Sequence, residues 1–127
     1  MAPTETTARV RQIGNVTIPV ADADRAIAFY VNSLGFEVRR DAQFGGGLRW
    51  VEVAPAGAAT TIALAPPGTG SIGVDTGIRL LTTNAEATHE ALRQGGTDID
   101  DILRYPNVPP MFSFRDPDGN TLYMVEG

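Results

Sequence analysis

From Ile13 to Val20 the chain alternates, with Ile13, Asn15 and Thr17 on one face and Val16, Ile18 and Val20 on the other. That period of two predicts a strand with one face on a core. The period then changes. Across ADRAIAFYVNSLG the apolar residues Ile27, Phe29, Tyr30, Val31 and Leu34 gather on one side of a predicted helix. Asp22 or Asp24 caps its start and Gly35 ends it as a left-handed cap. FEVRRD, LRWVEVA and TTIALA return to strand patterning, divided by Gly45–Gly47 and by Pro55–Gly57. After the Pro- and Gly-rich stretch PPGTGSIGVDTG the same order recurs. GIRLLTT predicts a strand, Asn84 caps the helix AEATHEALRQ, and Gly95–Gly96 ends it. DIDDILRY, MFSFR and TLYMVE predict three more strands.

The two halves are a repeat. Asn84 lies 62 positions after Asp22, and Gly96 lies 61 after Gly35. Each half is strand, helix, then three strands, a unit too small to bury its own sheet face, so two must pack together. The predicted class is α+β: two tandem βαβββ modules, residues 9–66 and 77–127, joined by a linker at 67–76 within one domain.

Composition narrows the function. With 43% hydrophobic and 20% charged residues the chain reads as a soluble globular protein. No apolar run approaches the ~20 residues that span a bilayer, and MAPTETTARVRQIGNV lacks the pattern of a secretion signal. Zero cysteines exclude disulfides, thiolate metal sites and cysteine nucleophiles. Every fixed cation is an arginine, which excludes Schiff-base lysines and a Walker-type phosphate lysine. The net charge is −5, with six Arg and six acids in residues 1–66 against four Arg and nine acids in 67–127. Such a domain has no basic stripe for nucleic acid and suits a cationic ligand better. The expectation is a cytoplasmic protein with neither nucleic-acid nor membrane partners.

The tail RDPDGNTLYMVEG looks at first like a calcium loop. An EF-hand loop starting at Asp116 needs Gly at its sixth place and Glu at its twelfth, whereas Gly119 is fourth and Gly127 is twelfth. Asp-Pro-Asp-Gly between two strand patterns predicts a tight turn instead, with Asp116 and Asp118 structural.

The paired βαβββ pattern, AIAFYVNSLGFEV in the first half and FRDPDGNTLYMVE at the end resemble the vicinal-oxygen-chelate superfamily of glyoxalase I, bleomycin-resistance proteins and extradiol dioxygenases. The resemblance runs from about Ile13 to Glu126 and implies sheets rolled into a barrel-like, cleft-bearing arrangement, with the cleft completed across a homodimer. In the enzymes of this group a divalent metal sits in the cleft on four His, Gln or Glu side chains. The matching positions here are Asn15, Ala63, Gly77 and Tyr123. Ala63 and Gly77 have no donor, Asn15 is a neutral one, and Tyr123 would have to ionise from a pKa near ~10. No metal cofactor is therefore expected; a divalent metal on an unusual set such as Glu52 with Asn15 is the alternative. The lone His89, on the second helix, is expected to be solvated.

What remains for the cleft is aromatic and charged. Tyr123 shares a face with Thr121 and Val125, opposite Leu122 and Met124; Trp50 and Glu52 share a face opposite Arg49, Val51 and Val53. An indole beside a carboxylate suits a flat or cationic ligand. Arg79 either pairs with Glu52 or fixes an anionic substrate. Phe112 is a further ligand-contact candidate, although Phe112 and Phe114 read first as core. YPNVPPM, stiffened by proline, is available to wall the cleft or meet a second copy. The ligand-binding candidates are thus Asn15, Trp50, Glu52, Arg79, Phe112 and Tyr123. The leading reading is a metal-independent binder of a small aromatic or cationic molecule such as an antibiotic. The alternative is a lyase, isomerase or dioxygenase of the same superfamily. Its metal-free form would use Glu52 or Tyr123 as acid–base, with Arg79 on an oxyanion, and requires Glu52 buried with a raised pKa. A third reading is a vestigial cleft acting through dimerisation alone.

Overall fold

A computed structural model describes residues 7–66 and 68–127; residues 1–6, read above for a leader, and Pro67, at the head of the linker, lie outside the described residues. The first module runs β1 (Asn15–Pro19), α1 (Ala23–Ala28), β2 (Glu37–Phe44), β3 (Leu48–Ala54) and β4 (Thr61–Ala65). The second runs β5 (Asp75–Thr82), α2 (Ala85–Gln94), β6 (Asp98–Ile99), β7 (Met111–Arg115) and β8 (Thr121–Glu126). Each module forms its own four-stranded mixed sheet, ordered β1-β4-β3-β2 and β5-β8-β7-β6. In each, the first and last strands pair in parallel and the hairpin strands pair antiparallel. This is the α+β arrangement of two βαβββ modules.

The caps act where the sequence places them. Asp22 Oδ1 accepts from the Asp24 and Arg25 amides, and Asn84 Oδ1 accepts from the Ala87 amide, each satisfying N–H groups that have no partner within the helix. Beyond Ala28 the first helix widens into a π-helical turn, Phe29–Ser33, and ends at Gly35 with φ +74°. The widened turn opens with the aromatic pair Phe29 and Tyr30, whose rings meet edge-on at 5.2 Å.

One core serves both modules. Ile18, Val51, Val53, Ile62 and Leu64 from the first sheet and Phe112, Phe114, Leu122 and Met124 from the second are buried in one cluster with Ala26, Tyr30 and Leu92 from the helical segments. A polar clamp ties the halves together at the DPDGN turn. Asn120, fully buried, donates to the Pro19 carbonyl of β1 and to Asp116, and accepts from the Gly73 and Val74 amides that lead into β5. Asp116 accepts from the Asp118 and Asn120 amides and from the Tyr30 hydroxyl at 2.9 Å. Burial first, and then the Asp116 carboxylate, push the Tyr30 phenol well above its ordinary pKa, so it remains a donor. The acidic turn is structural, as its spacing predicts.

Two elements differ from expectation. β5 begins at Asp75, inside the expected linker, and carries a register shift between Asp75 and Arg79 with Gly77 at φ +68°. The strand predicted over DIDDILRY is only Asp98–Ile99, followed by a lone bridge from Leu103 to Met111. Beyond Ile99 the ladder continues only through the Asp100 amide, which donates to the Ser113 carbonyl. Asp100 turns its carboxylate to Ser113 and Arg115, and Pro106, Pro109 and Pro110 have no N–H to donate.

Candidate functional site

The core lies on one side of each sheet, so the opposite, open faces carry the remaining candidate side chains. In the first sheet, Val51 and Val53 pair with Leu64 and Ile62 toward the core, which turns Trp50 and Glu52 outward. Glu52 stands opposite Ala63 on one side and Arg40 on the other. Both its oxygens are engaged. The Thr61 hydroxyl and the Trp50 indole N–H each donate to one of them at 2.7 Å. These two donors, Thr61 foremost, and then the charge of Arg40 hold the Glu52 carboxyl below the usual carboxylate range against a desolvation that would raise it. A half-buried, ionised carboxylate with an indole fixed beside it recognises positive or hydrogen-bond-donating groups; as a proton shuttle near neutrality it is on the wrong side of its ordinary pKa. The raised pKa required for acid–base use of Glu52 is contradicted by this arrangement.

The second sheet's open face carries Tyr123, opposite Arg79 on β5 and Ser113 on β7. The Tyr123 hydroxyl donates to Asp75 at 2.7 Å, which raises the phenol's pKa and lowers that of Asp75, whose other oxygen accepts from the Gly77 amide. The Arg79 guanidinium lies over the Tyr123 ring at 4.7 Å and donates to the Gly77 carbonyl. Arg79 forms no ion pair with Glu52, the partner the sequence suggested; the two stand on different sheets, and Glu52 is satisfied within its own.

Phe112 follows its first reading, as core rather than as a ligand contact, and the expectation for His89 is corrected. Phe112 is fully buried, 6.2 Å from Phe114 in the core, because β7 turns its aromatic residues inward and Ser113 outward. It does not line the open face. His89 is half-buried rather than solvated: Nε2 lies 2.8 Å from the Asp100 carbonyl, and its ring meets Phe112 edge-on at 4.9 Å.

The four positions that the resemblance assigns to a metal form no donor set. Asn15 is an exposed amide at the start of β1 and Ala63 a buried methyl; Gly77 is a bulge without a side chain, and Tyr123 is a protonated phenol committed to Asp75. Glu52, the other candidate, already accepts from two donors. Among the described residues there is no group of three or more His, Cys, Asp and Glu that could hold a metal ion, and no helix is long and apolar enough to cross a membrane. The residues present do not fit the divalent metal.

Sequence reasoning missed Thr61, Arg40 and Asp75. The first two become neighbours of Glu52 only through strand register, and Asp75 was read as linker. A period-two count carried back through Gly77 would have found Asp75.

The family model of the Glyoxalase/Bleomycin resistance protein/Dioxygenase superfamily matches residues 12–124. YetH of Bacillus subtilis (strain 168), described as uncharacterized, is 30% identical over 122 residues, 92% of this chain and 99% of that protein. Two crystal structures superpose over nearly the whole chain. One is TnmS3, an antibiotic binding protein from Streptomyces sp. CB03234, with a TM-score of 0.84 and 29% identity over 94% of this chain and 98% of that one. The other is a member of the same superfamily from Sphaerobacter thermophilus DSM 20745, with a TM-score of 0.85 and 35% identity over 93% and 98%.

Proposed function

The chain belongs to the Glyoxalase/Bleomycin resistance protein/Dioxygenase superfamily, and from that premise we propose that it is a metal-independent binder of a small aromatic or cationic molecule. The observation that carries this reading is the Trp50–Glu52–Thr61 array, in which an ionised carboxylate and an indole are fixed side by side on an open sheet face. The array would hold a planar cation through charge and stacking, without an ion as intermediary. Support also comes from TnmS3, whose description is that of an antibiotic binding protein. The lowered Glu52 pKa weighs against the metal-free enzyme reading. A second copy that covers the open faces is part of the proposal, supported by Ile13 and Leu81, which are 68% and 74% exposed.

Trp50 is the single tryptophan, so its fluorescence reports on this array alone. In chelator-treated protein, N-methylquinolinium should quench it saturably and more strongly than neutral quinoline, and Glu52→Gln should abolish the preference for the cation. Equal, non-saturating quenching by both compounds would sink the proposal.

A further inference from the structure

A cavity of about 750 Å³ lies between the first sheet and β5. Its volume falls in the range of sites for small organic ligands, ~300–1,000 Å³. Val16, Phe36, Val53 and Ile62 line it from the first module, and Ile78 and Leu80 from β5. β5 is the edge strand of its sheet, so among the described residues no strand pairs with it on that side. Arg79 lies on the same stretch and also lines the cavity.

Arg79 is unlike the structural arginines. Arg25, Arg39, Arg49, Arg93, Arg104 and Arg115 are all in ion pairs. Arg79 is instead placed by a ring and a carbonyl: its guanidinium lies over Tyr123, Nη1 donates to Gly77, and Tyr123 is itself fixed by Asp75. Asp75 is close enough to feel the charge, but its oxygens accept from Tyr123 and Gly77 rather than from Arg79. Among the described residues, the Nε/Nη2 edge of Arg79 has no hydrogen-bond partner. That edge is the two-donor fork which matches a planar anion. A guanidinium held in place by groups that leave its fork open, beside an apolar cavity of ligand size, is an anion receptor with a hydrophobic floor.

We propose that this groove binds a small molecule with an apolar ring body and one anionic head, a carboxylate or sulfonate. The head meets the Nε/Nη2 edge of Arg79, and the body lies against Leu81, which shares Arg79's face of β5 and lines the same cavity. The cavity adjoins the proposed site, because Thr61, which donates to Glu52, also lines it, but the groove binds through neither Trp50 nor Glu52. With a net charge of −5 the protein's overall field opposes anions, so the selectivity is local to this arginine.

Two dyes with one ring body separate the contributions: 8-anilinonaphthalene-1-sulfonate carries the anion and N-phenyl-1-naphthylamine lacks it. The sulfonate should bind once per chain and at least tenfold more tightly than the neutral dye. Arg79→Gln should remove that preference, weakening the sulfonate about tenfold and leaving the neutral dye within twofold. Arg79→Lys, which keeps the charge but not the fork, should fall between. Arg93→Gln, on the surface of α2, should change neither. Arg79 is exposed, and an unchanged unfolding midpoint of Arg79→Gln verifies that the fold is intact. Equal affinities in the native protein, a preference that survives in Arg79→Gln, or the absence of binding by either dye would each overturn the proposal.

Discussion

Truncating Asn120 to alanine should cut the main polar tie between the two modules. The side chain is fully buried and makes four hydrogen bonds. Oδ1 accepts from Gly73 at 2.8 Å and Val74 at 3.1 Å, while Nδ2 donates to Pro19 at 2.9 Å and Asp116 at 3.1 Å. Such bonds contribute roughly 0.5–1.5 kcal/mol each, and a buried partner left unpaired adds to the loss. Two of the four partners recover: Gly73 is exposed and its amide can meet water, and Asp116 retains the Tyr30 hydroxyl. The expected destabilisation is therefore about 3 kcal/mol. For a chain of 127 residues the unfolding entropy is about 0.27 kcal/mol/K, which converts that loss to a fall in Tm of about 11 °C. Asn120→Asp should fall further near neutral pH, because its second oxygen would face the Pro19 carbonyl and the Asp116 carboxylate, both acceptors. Thermal unfolding followed by far-UV circular dichroism measures both variants. A fall of less than about 4 °C in Asn120→Ala, equivalent to about 1 kcal/mol, would refute the clamp.

Tyr30→Phe removes the 2.9 Å donation to Asp116 and leaves that oxygen with Asn120 alone. Urea unfolding should show a loss of about 2 kcal/mol, as expected for a hydrogen bond to a charged group. Arg115 and then Ser113 hold Asp100 at a pKa of about 2. A folded pKa below the unfolded value of ~3.9 gives stability that is complete above that value and lost as pH falls toward the folded one. Arg115→Gln should therefore flatten the decline of the urea midpoint between roughly pH 4 and 2; an unchanged slope would show that Asp100 takes no part in it.

Local chemistry made the framework legible. The capping side chains of Asp22 and Asn84, the left-handed Gly35 and Gly96, and the strict alternation of β7 and β8 are each decided by residues near in sequence. Alternation likewise puts Trp50 and Glu52 on one face of β3 and Tyr123 opposite Leu122 and Met124 on β8, but which face of β3 looks outward is decided only by the packing of the sheet. Partners were a different matter. Thr61 meets Glu52 because β4 pairs with β3 in one register, and Asp75 meets Tyr123 across a parallel ladder interrupted at Gly77. Register of this kind depends on the whole sheet. Charge alone suggested Arg79 with Glu52, but each found a nearer partner on its own sheet. β6 is shorter than its apolar positions suggest for a related reason: Asp100 still donates its amide to the Ser113 carbonyl, but its carboxylate turns to Arg115 and Ser113, and the next bridge comes only at Leu103.

The proposed function requires that the open faces hold an organic ligand without a metal, and among the described residues no group of three or more His, Cys, Asp and Glu could hold a metal ion. The direct measurement is thermal unfolding of chelator-stripped protein with zinc, nickel, manganese and iron(II) added in turn. A metal bound to the native state at a hundred times its dissociation constant adds about 2.7 kcal/mol, a rise of roughly 10 °C for a chain of this size. No saturable rise is expected with any of the four. A saturable rise of several degrees that disappears in Glu52→Gln or Asn15→Ala would contradict the proposed function and place a metal on the very face assigned here to an organic ligand.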